Sequence, residues 1–347
     1  MGRRSRATIA DVARLAGVSR ATVSRVLNGT AVVARDKEQA VHEAIDQTGF
    51  LVSTSARHLA TGRTDSMAVI LTEPIDELLE DPTYATVLKG IMDGLADTPM
   101  TPTLYMAATQ GERSKSLRLF RRGAADALIH LSPYTDDELL VDLADTDIPV
   151  VLCGQTAGEL EGMDGFSKVY SDDRIGAQSA ARHLLDHGAA RVGALMGPRE
   201  NPATTDRIEG LVAMLGEHLT AGPVYGSWDE SSGAHMATGL LSACTPFDAL
   251  ACGNDRIAAG AIRALQVAGV RVPQDVLVIG FDDHPIATTF RPSISTVHQP
   301  FHLQGVRAVG IARAMIEGDA PRTEILETQV FERESTAGRP LGTPRPA

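Results

Sequence analysis

The chain has 347 residues, is 43% apolar and carries a formal charge of −12 at pH 7. That length can bury two ordinary domains or one large one, plus a small appendage, and the longest apolar runs, Met67–Leu71 and Val276–Phe281, are strand-sized, far short of the roughly 18 residues of a membrane span. The basic opening Met-Gly-Arg-Arg-Ser-Arg leads into no apolar signal region, so a cytoplasmic location is expected; Cys153, Cys244 and Cys252 form no CxxC pair, which argues against a disulfide framework or zinc cluster and for three buried thiols.

The charge is unevenly distributed. Residues 1–63 hold ten Lys and Arg against five Asp and Glu, a balance of +5, which leaves −17 for residues 64–347. A basic head on an acidic body implies that only the head meets a polyanion.

In the head, Thr8 and Asp11 stand in capping-box spacing, Ile9, Val12, Ala13 and Ala16 share one face, and Gly17 ends the segment, which predicts a short helix. Ser19 caps a second helix that turns Val23, Val26 and Leu27 inward, leaves Arg20, Ala21, Thr22, Ser24 and Arg25 outward, and ends at Asn28-Gly29. A third helix, about Asp36–Thr48, packs Val41, Ala44 and Ile45 and stops at Gly49. Two short helices around a tight glycine turn, the second presenting arginines and hydroxyls, form a helix-turn-helix suited to the major groove. Residues 53–63, small and polar apart from Leu59, read as a flexible linker.

From Met67 onward, strand-like runs (Met67–Leu71, Thr103–Met106, Ala127–Leu131, Val150–Leu152, Val192–Leu195, Ala249–Ala251, Val276–Gly280) alternate with helix-length stretches. Alternation predicts parallel α/β sheets, and about ten strands suit two doubly wound lobes with a ligand cleft at the carboxyl ends of the strands. Catalytic machinery is absent from the pattern: no P-loop, GxGxxG or GxSxG occurs. His183 and His187, like His298 and His302, lie four apart, a chelating spacing, but neither pair has HExxH order or a nearby cysteine, so no metal and no cofactor are expected.

The run Thr8-Ile-Ala-Asp-Val-Ala-Arg-Leu-Ala-Gly-Val-Ser-Arg-Ala-Thr-Val-Ser-Arg-Val-Leu-Asn28 closely resembles the N-terminal signature of the lactose-repressor (LacI/GalR) family of transcription regulators. The resemblance implies base-edge contacts from Arg20, Ala21 and Arg25 and phosphate contacts from Thr8, Ser19, Thr22, Ser24 and Asn28, roles that suit a bidentate guanidinium and short polar side chains respectively. It also implies that the linker folds into a hinge helix on DNA, with Leu59 wedged into the minor groove. Two stretches depart from the pattern. Val33-Ala-Arg-Asp-Lys-Glu38 replaces the usual Val-Ser-Pro-Glu-Thr-Arg, losing a serine cap, and Phe50-Leu-Val-Ser53 replaces Tyr-x-Pro-Asn.

In the body the resemblance extends over Ala177–Gly188, Asp206–Gly210, Cys252–Gly260, Val278–Asp283 and Glu332–Thr336. It implies lobes like those of periplasmic sugar-binding proteins, with crossings near residues 163–167, 290–294 and 321–325, and a cleft lined by Arg207, Asn254, Asp282 and Trp228. Arginine, amide and carboxylate can grip vicinal hydroxyls while an indole covers the apolar face of a pyranose. Tyr84 and Asp173 are further candidates. From the residues alone, Arg207 also fits a surface charge, Asp282 a helix cap and Trp228 a loop anchor. The implied organisation is a DNA-binding domain at 1–52, a hinge at 53–65, a two-lobed effector and dimerisation domain at 66–338, and a flexible tail at 339–347, too rich in Pro and Gly for a tetramerising helix. The expected protein is a homodimeric repressor, not an enzyme, that leaves a near-palindromic operator on binding a mono- or disaccharide. A relative using a purine corepressor, a transport-type sugar-binding protein and a sugar-acting enzyme are the alternatives.

Overall fold

The computed structural model describes residues 7–28, 33–50, 62–131, 138–155 and 164–338, with the side chains of Asn28 and Glu138 excepted. The chain forms two compact units, Met1–Thr64 and Asp65–Ala347.

The first unit holds the helices Ile9–Leu15, Arg20–Asn28 and Arg35–Thr48. The Thr8 backbone N–H and hydroxyl both donate to Asp11 Oδ2, at 3.0 and 2.7 Å; these bonds hold the exposed Asp11 carboxyl below its usual value. Ser19 Oγ accepts the Thr22 N–H at 3.1 Å and caps the second helix. Gly17 and Gly49 take φ of +66° and +61°, the left-handed conformation that lets the chain leave a helix sharply. Val12, Ala13, Val23, Val41 and Ala44 close the core, with Leu27, Ile45 and Phe50 around them.

The third helix starts from Ala34, whose side chain offers no cap, as the departure from the serine pattern predicts. Ala34→Ser is therefore expected to stabilise this unit by about 1 kcal/mol, since a hydroxyl would satisfy an orphaned N–H of the first turn. Chemical denaturation of wild type and variant, read at 222 nm, measures the difference.

The second unit is two six-stranded sheets. The strands are β1 (Ser66–Leu71), β2 (Thr101–Met106), β3 (Ala127–Leu131), β4 (Val150–Cys153), β5 (Phe166–Ser171), β6 (Val192–Met196), β7 (Leu219–Tyr225), β8 (Ala249–Cys252), β9 (Leu277–Asp282), β10 (Ser295–His298), β11 (Thr323–Leu326) and β12 (Gln329–Phe331). Their orders are β11-β5-β4-β3-β1-β2 and β12-β10-β9-β8-β6-β7. All pairings are parallel except β10 with β12. The inner strands β3, β4, β6, β8 and β9 are buried throughout, which is why they read as continuous apolar runs.

Three crossings join the sheets. The chain leaves β5 at Ser171 for the helix Asp173–Asp186 on the second sheet, leaves β10 at His298 for the helix Phe301–Ile316 on the first, and passes from β11, ending at Leu326, to β12 at Gln329. Each lies several residues later than expected. The strands β5 (Phe-Ser-Lys-Val-Tyr-Ser) and β10 (Ser-Thr-Val-His), each next to an edge, and the edge strand β11 (Thr-Glu-Ile-Leu) are short and half polar, so they resemble linker, yet the chain completes each before crossing. Cys244 is exposed, with φ of +51°, on the turn after the helix Glu230–Ser242, whereas Cys153 and Cys252 are buried as predicted.

Candidate functional site

In the first unit, Thr8, Ser19, Arg20, Ala21 and Arg25 are exposed, and Thr22 and Ser24 are half-buried. Ser19 Oγ and Thr22 Oγ1 lie 2.9 Å apart, so these hydroxyls are already oriented by each other. The second helix thus presents two arginines beside a methyl group and small hydroxyls, the chemistry of a groove-reading surface. Leu59 and the Asn28 side chain lie outside the described residues.

In the second unit, the carboxyl ends of both sheets face a cleft of about 360 Å³, within the range of small-molecule sites. Tyr84, Asp173, Arg207, Trp228, Asn254 and Asp282 all line it. Arg207, on the helix Pro202–Leu215, is only 6% exposed, so it is not a surface charge. Its Nε donates to Asp173 Oδ1 at 2.7 Å, its Nη2 to Asp282 Oδ1 at 3.1 Å, and its Nη1 to the Gly253 carbonyl. The guanidinium sits 3.9 Å over the Phe281 ring and 5.5 Å from that of Trp228. Burial pushes the Asp173 carboxyl up to about 6, against the opposing pull of Arg207, and Asp173 shares that one cation with Asp282.

Asp282 is the last residue of β9 rather than a helix cap. It and Asp283 take φ of +95° and +61°, backbone that a non-glycine residue holds only when its surroundings enforce it. The enforcing contacts are visible: Gln299 Nε2 donates to Asp282 Oδ1 at 2.7 Å, while Arg333 Nη2 and His298 Nδ1 meet the Asp283 carboxylate at 2.6 and 3.0 Å. Asn254 caps the helix Asp255–Val267, its Oδ1 accepting the Ile257 N–H at 2.8 Å, and its Nδ2 donates to the Trp228 carbonyl at 3.2 Å. Much of its bonding capacity is therefore committed to holding the tryptophan loop. The half-buried indole lies against Gly197 and Gly253, and a Cβ at Gly197 would collide with it.

Across the cleft, Tyr84 packs on the core of the first lobe. The lobes are bridged by Thr83 Oγ1 and His284 Nε2 at 2.9 Å, and by Arg256, which reaches Glu80 at 3.6 Å and Asp81 at 4.0 Å. Sequence reasoning missed Gln299, Arg256 and the acidic wall of Glu77, Glu80 and Asp81. Gln299 follows the short strand β10, and the run Val-His-Gln-Pro300 across the end of that strand was the only signal for it.

The profile of bacterial regulatory proteins, lacI family, matches residues 8–53, and that of the periplasmic binding protein-like domain matches residues 181–336. The HTH-type transcriptional regulator CelR of Thermobifida fusca is 32% identical, covering 96% of this chain and 100% of its own. The chain belongs to the lacI family of regulators. The regulator GalR of Escherichia coli strain K12 is 31% identical over 97% of this chain and 96% of its own, and the repressor PurR of Aliivibrio salmonicida strain LFI1238 is 30% identical over 95% and 98%. Among solved structures, a CelR–cellobiose complex has a TM-score of 0.74 at 29% identity, covering 95% of this chain and all of that one. The Lac repressor dimer bound to operator and the anti-inducer ONPF has a TM-score of 0.81 at 21% identity over 96% of this chain and all of that one. The protein is accordingly a helix-turn-helix transcription regulator of this family and not an enzyme. No helix among the described residues is long and apolar enough to cross a membrane.

Proposed function

We propose that this regulator is a cytoplasmic homodimer that represses carbohydrate-utilisation genes and leaves its operator when a neutral mono- or disaccharide fills the cleft. The observation that carries the sugar reading is the polar cluster of Arg207, Asp173, Asp282 and Gln299 beside the Trp228 ring. Fixed planar donors and acceptors next to an aromatic face suit a molecule with vicinal hydroxyls on one side and C–H groups on the other. Support comes also from CelR, whose solved complex holds cellobiose.

On the DNA side, Arg20, Ala21 and Arg25 read base edges, and Thr8, Ser19, Thr22, Ser24 and Asn28 fix the helix on phosphates. Leu59, in a hinge spanning 53–65, wedges the minor groove at the operator centre. Two heads (1–52) on paired bodies (66–338), with 339–347 as a tail, make a near-palindrome the fitting target. Closure of the lobes on effector alters the spacing of the hinges and so weakens operator binding.

A second reading, a purine acting as corepressor, is favoured by the PurR relatives at 29–32% identity and by an indole that could equally stack on a base. Gel retardation of upstream DNA of the gene by the full chain, against cellobiose, galactose, glucose and purine bases, separates the two. Release by a sugar supports induction. Retardation strengthened by a purine and indifferent to every sugar establishes the corepressor instead.

A further inference from the structure

His183 on the helix Asp173–Asp186 and His187, the residue that caps its C-terminus, stand at chelating spacing without a third ligand in the sequence nearby, and the fold supplies one. One imidazole nitrogen each of His183 and His187 and a carboxylate oxygen of Glu332, which follows β12, lie within 4.8 Å of one another. This cluster is outside the effector cleft and takes no part in the network described above.

The protonation of both rings can be worked out from their partners. His187 Nδ1 lies 2.7 Å from the His183 carbonyl, which can only accept, so Nδ1 carries the proton and Nε2 of the neutral ring is a lone pair. That lone pair faces Glu332 Oε2 at 3.4 Å. Two acceptors in this position leave room for a cation or a bridging water between them. A proton would draw them into a shorter hydrogen bond, about 2.8 Å. A separation of about 3.4 Å is instead the ligand-to-ligand edge of a tetrahedral zinc site with bonds of about 2.0–2.1 Å.

For His183, the Ser295 hydroxyl donates to the Arg333 carbonyl at 3.0 Å, so it accepts from Thr336 Oγ1 at 2.6 Å, and Thr336 in turn accepts from His183 Nε2 at 2.7 Å. The chain of hydroxyls fixes the tautomer and orientation of His183 and leaves Nδ1 as its lone pair, the kind of outer support that metal-ligating histidines carry.

We propose that His183, His187 and Glu332 bind one divalent transition-metal ion of the zinc type, three protein ligands with the fourth position open to water. Zinc prefers imidazole and carboxylate donors in this number and geometry. The ion would tie the helix that begins with Asp173 to the segment following β12, the two elements that enter the second lobe at the first and third crossings. It would therefore brace that lobe.

The test is calorimetric titration of the untagged full-length protein with zinc chloride in a non-chelating buffer at pH 7.5, using Cys244→Ser throughout to remove the exposed thiol. One equivalent is expected to bind and to raise the melting temperature. His187→Ala and Glu332→Gln, changes at a half-buried and an exposed position, are each expected to weaken binding about tenfold or more while leaving operator retardation intact. Absence of uptake by the parent protein, or unweakened uptake by either variant, overturns the site; the first result would mean that a proton or a water alone sits between His187 and Glu332.

Discussion

Arg207→Ala is expected to abolish the response to effector and to lower the stability of the two-lobed unit by about 3–5 kcal/mol, the usual cost of removing one partner from a buried charge cluster. The loss is large because Asp173 and Asp282 would be left facing one another without the cation that both now share. Its pH dependence has a definite sign. Burial already raises the Asp173 carboxyl to about 6 in the folded protein, well above the ordinary value of an aspartate. A carboxyl raised on folding takes up its proton first in the folded state, so its contribution is most favourable below the unfolded value and is lost as pH rises through the folded one. Without Arg207 the folded value rises further, and the variant is expected to melt higher at pH 5.5 than at pH 7.5. Operator binding below the melting temperature is expected to survive, because the recognition helix belongs to the other unit. Thermal melts at both pH values, together with gel retardation with and without sugar, check each part. An unchanged melting curve and normal release by sugar would remove Arg207 from both roles.

Arg25→Ala is expected to cost about 1–3 kcal/mol of operator affinity per half-site, roughly 5–150-fold, and to relax base preference at one position of each half-site. The side chain is exposed on the second helix, and the core of that unit is built from other residues. The melting temperature should therefore stay within experimental error of wild type. Binding to a set of operators substituted at single positions separates this outcome from loss of a phosphate contact, which would weaken every sequence about equally.

Local rules made the head readable. Capping hydroxyls at Thr8 and Ser19 and left-handed glycines at 17 and 49 mark helix ends within a few residues, and the apolar spacing between them gives the core. Buried strands such as Ala127–Leu131 and Val192–Met196 were equally plain, because a strand covered on both faces is apolar at every position. The strands β5, β10 and β11 were not, since about half of the residues in each are polar although β5 and β10 are mostly buried, and with them went the crossings and Gln299. Reading Asn254 only as a hydroxyl-gripping amide overlooked its place as the first residue before a helix, where an amide oxygen caps the backbone. Glu332 and the histidines illustrate the remaining limit. They are brought together by sheet order, with β12 running antiparallel beside β10, and no periodicity along the chain encodes that proximity.

Coupling between the two units is the centre of the proposed mechanism, and linkage makes it measurable from either side. If a sugar weakens operator binding by a given factor, operator must weaken sugar binding by the same factor. Trp228 is the single tryptophan of the chain and lines the cleft, so its fluorescence reports occupancy directly. Titrating the inducing sugar with and without saturating operator DNA should give affinities that differ about 5–150-fold, matching the drop in operator affinity measured in the reverse titration. Equal sugar affinities in the two titrations, with operator affinity unmoved by sugar, would contradict the account.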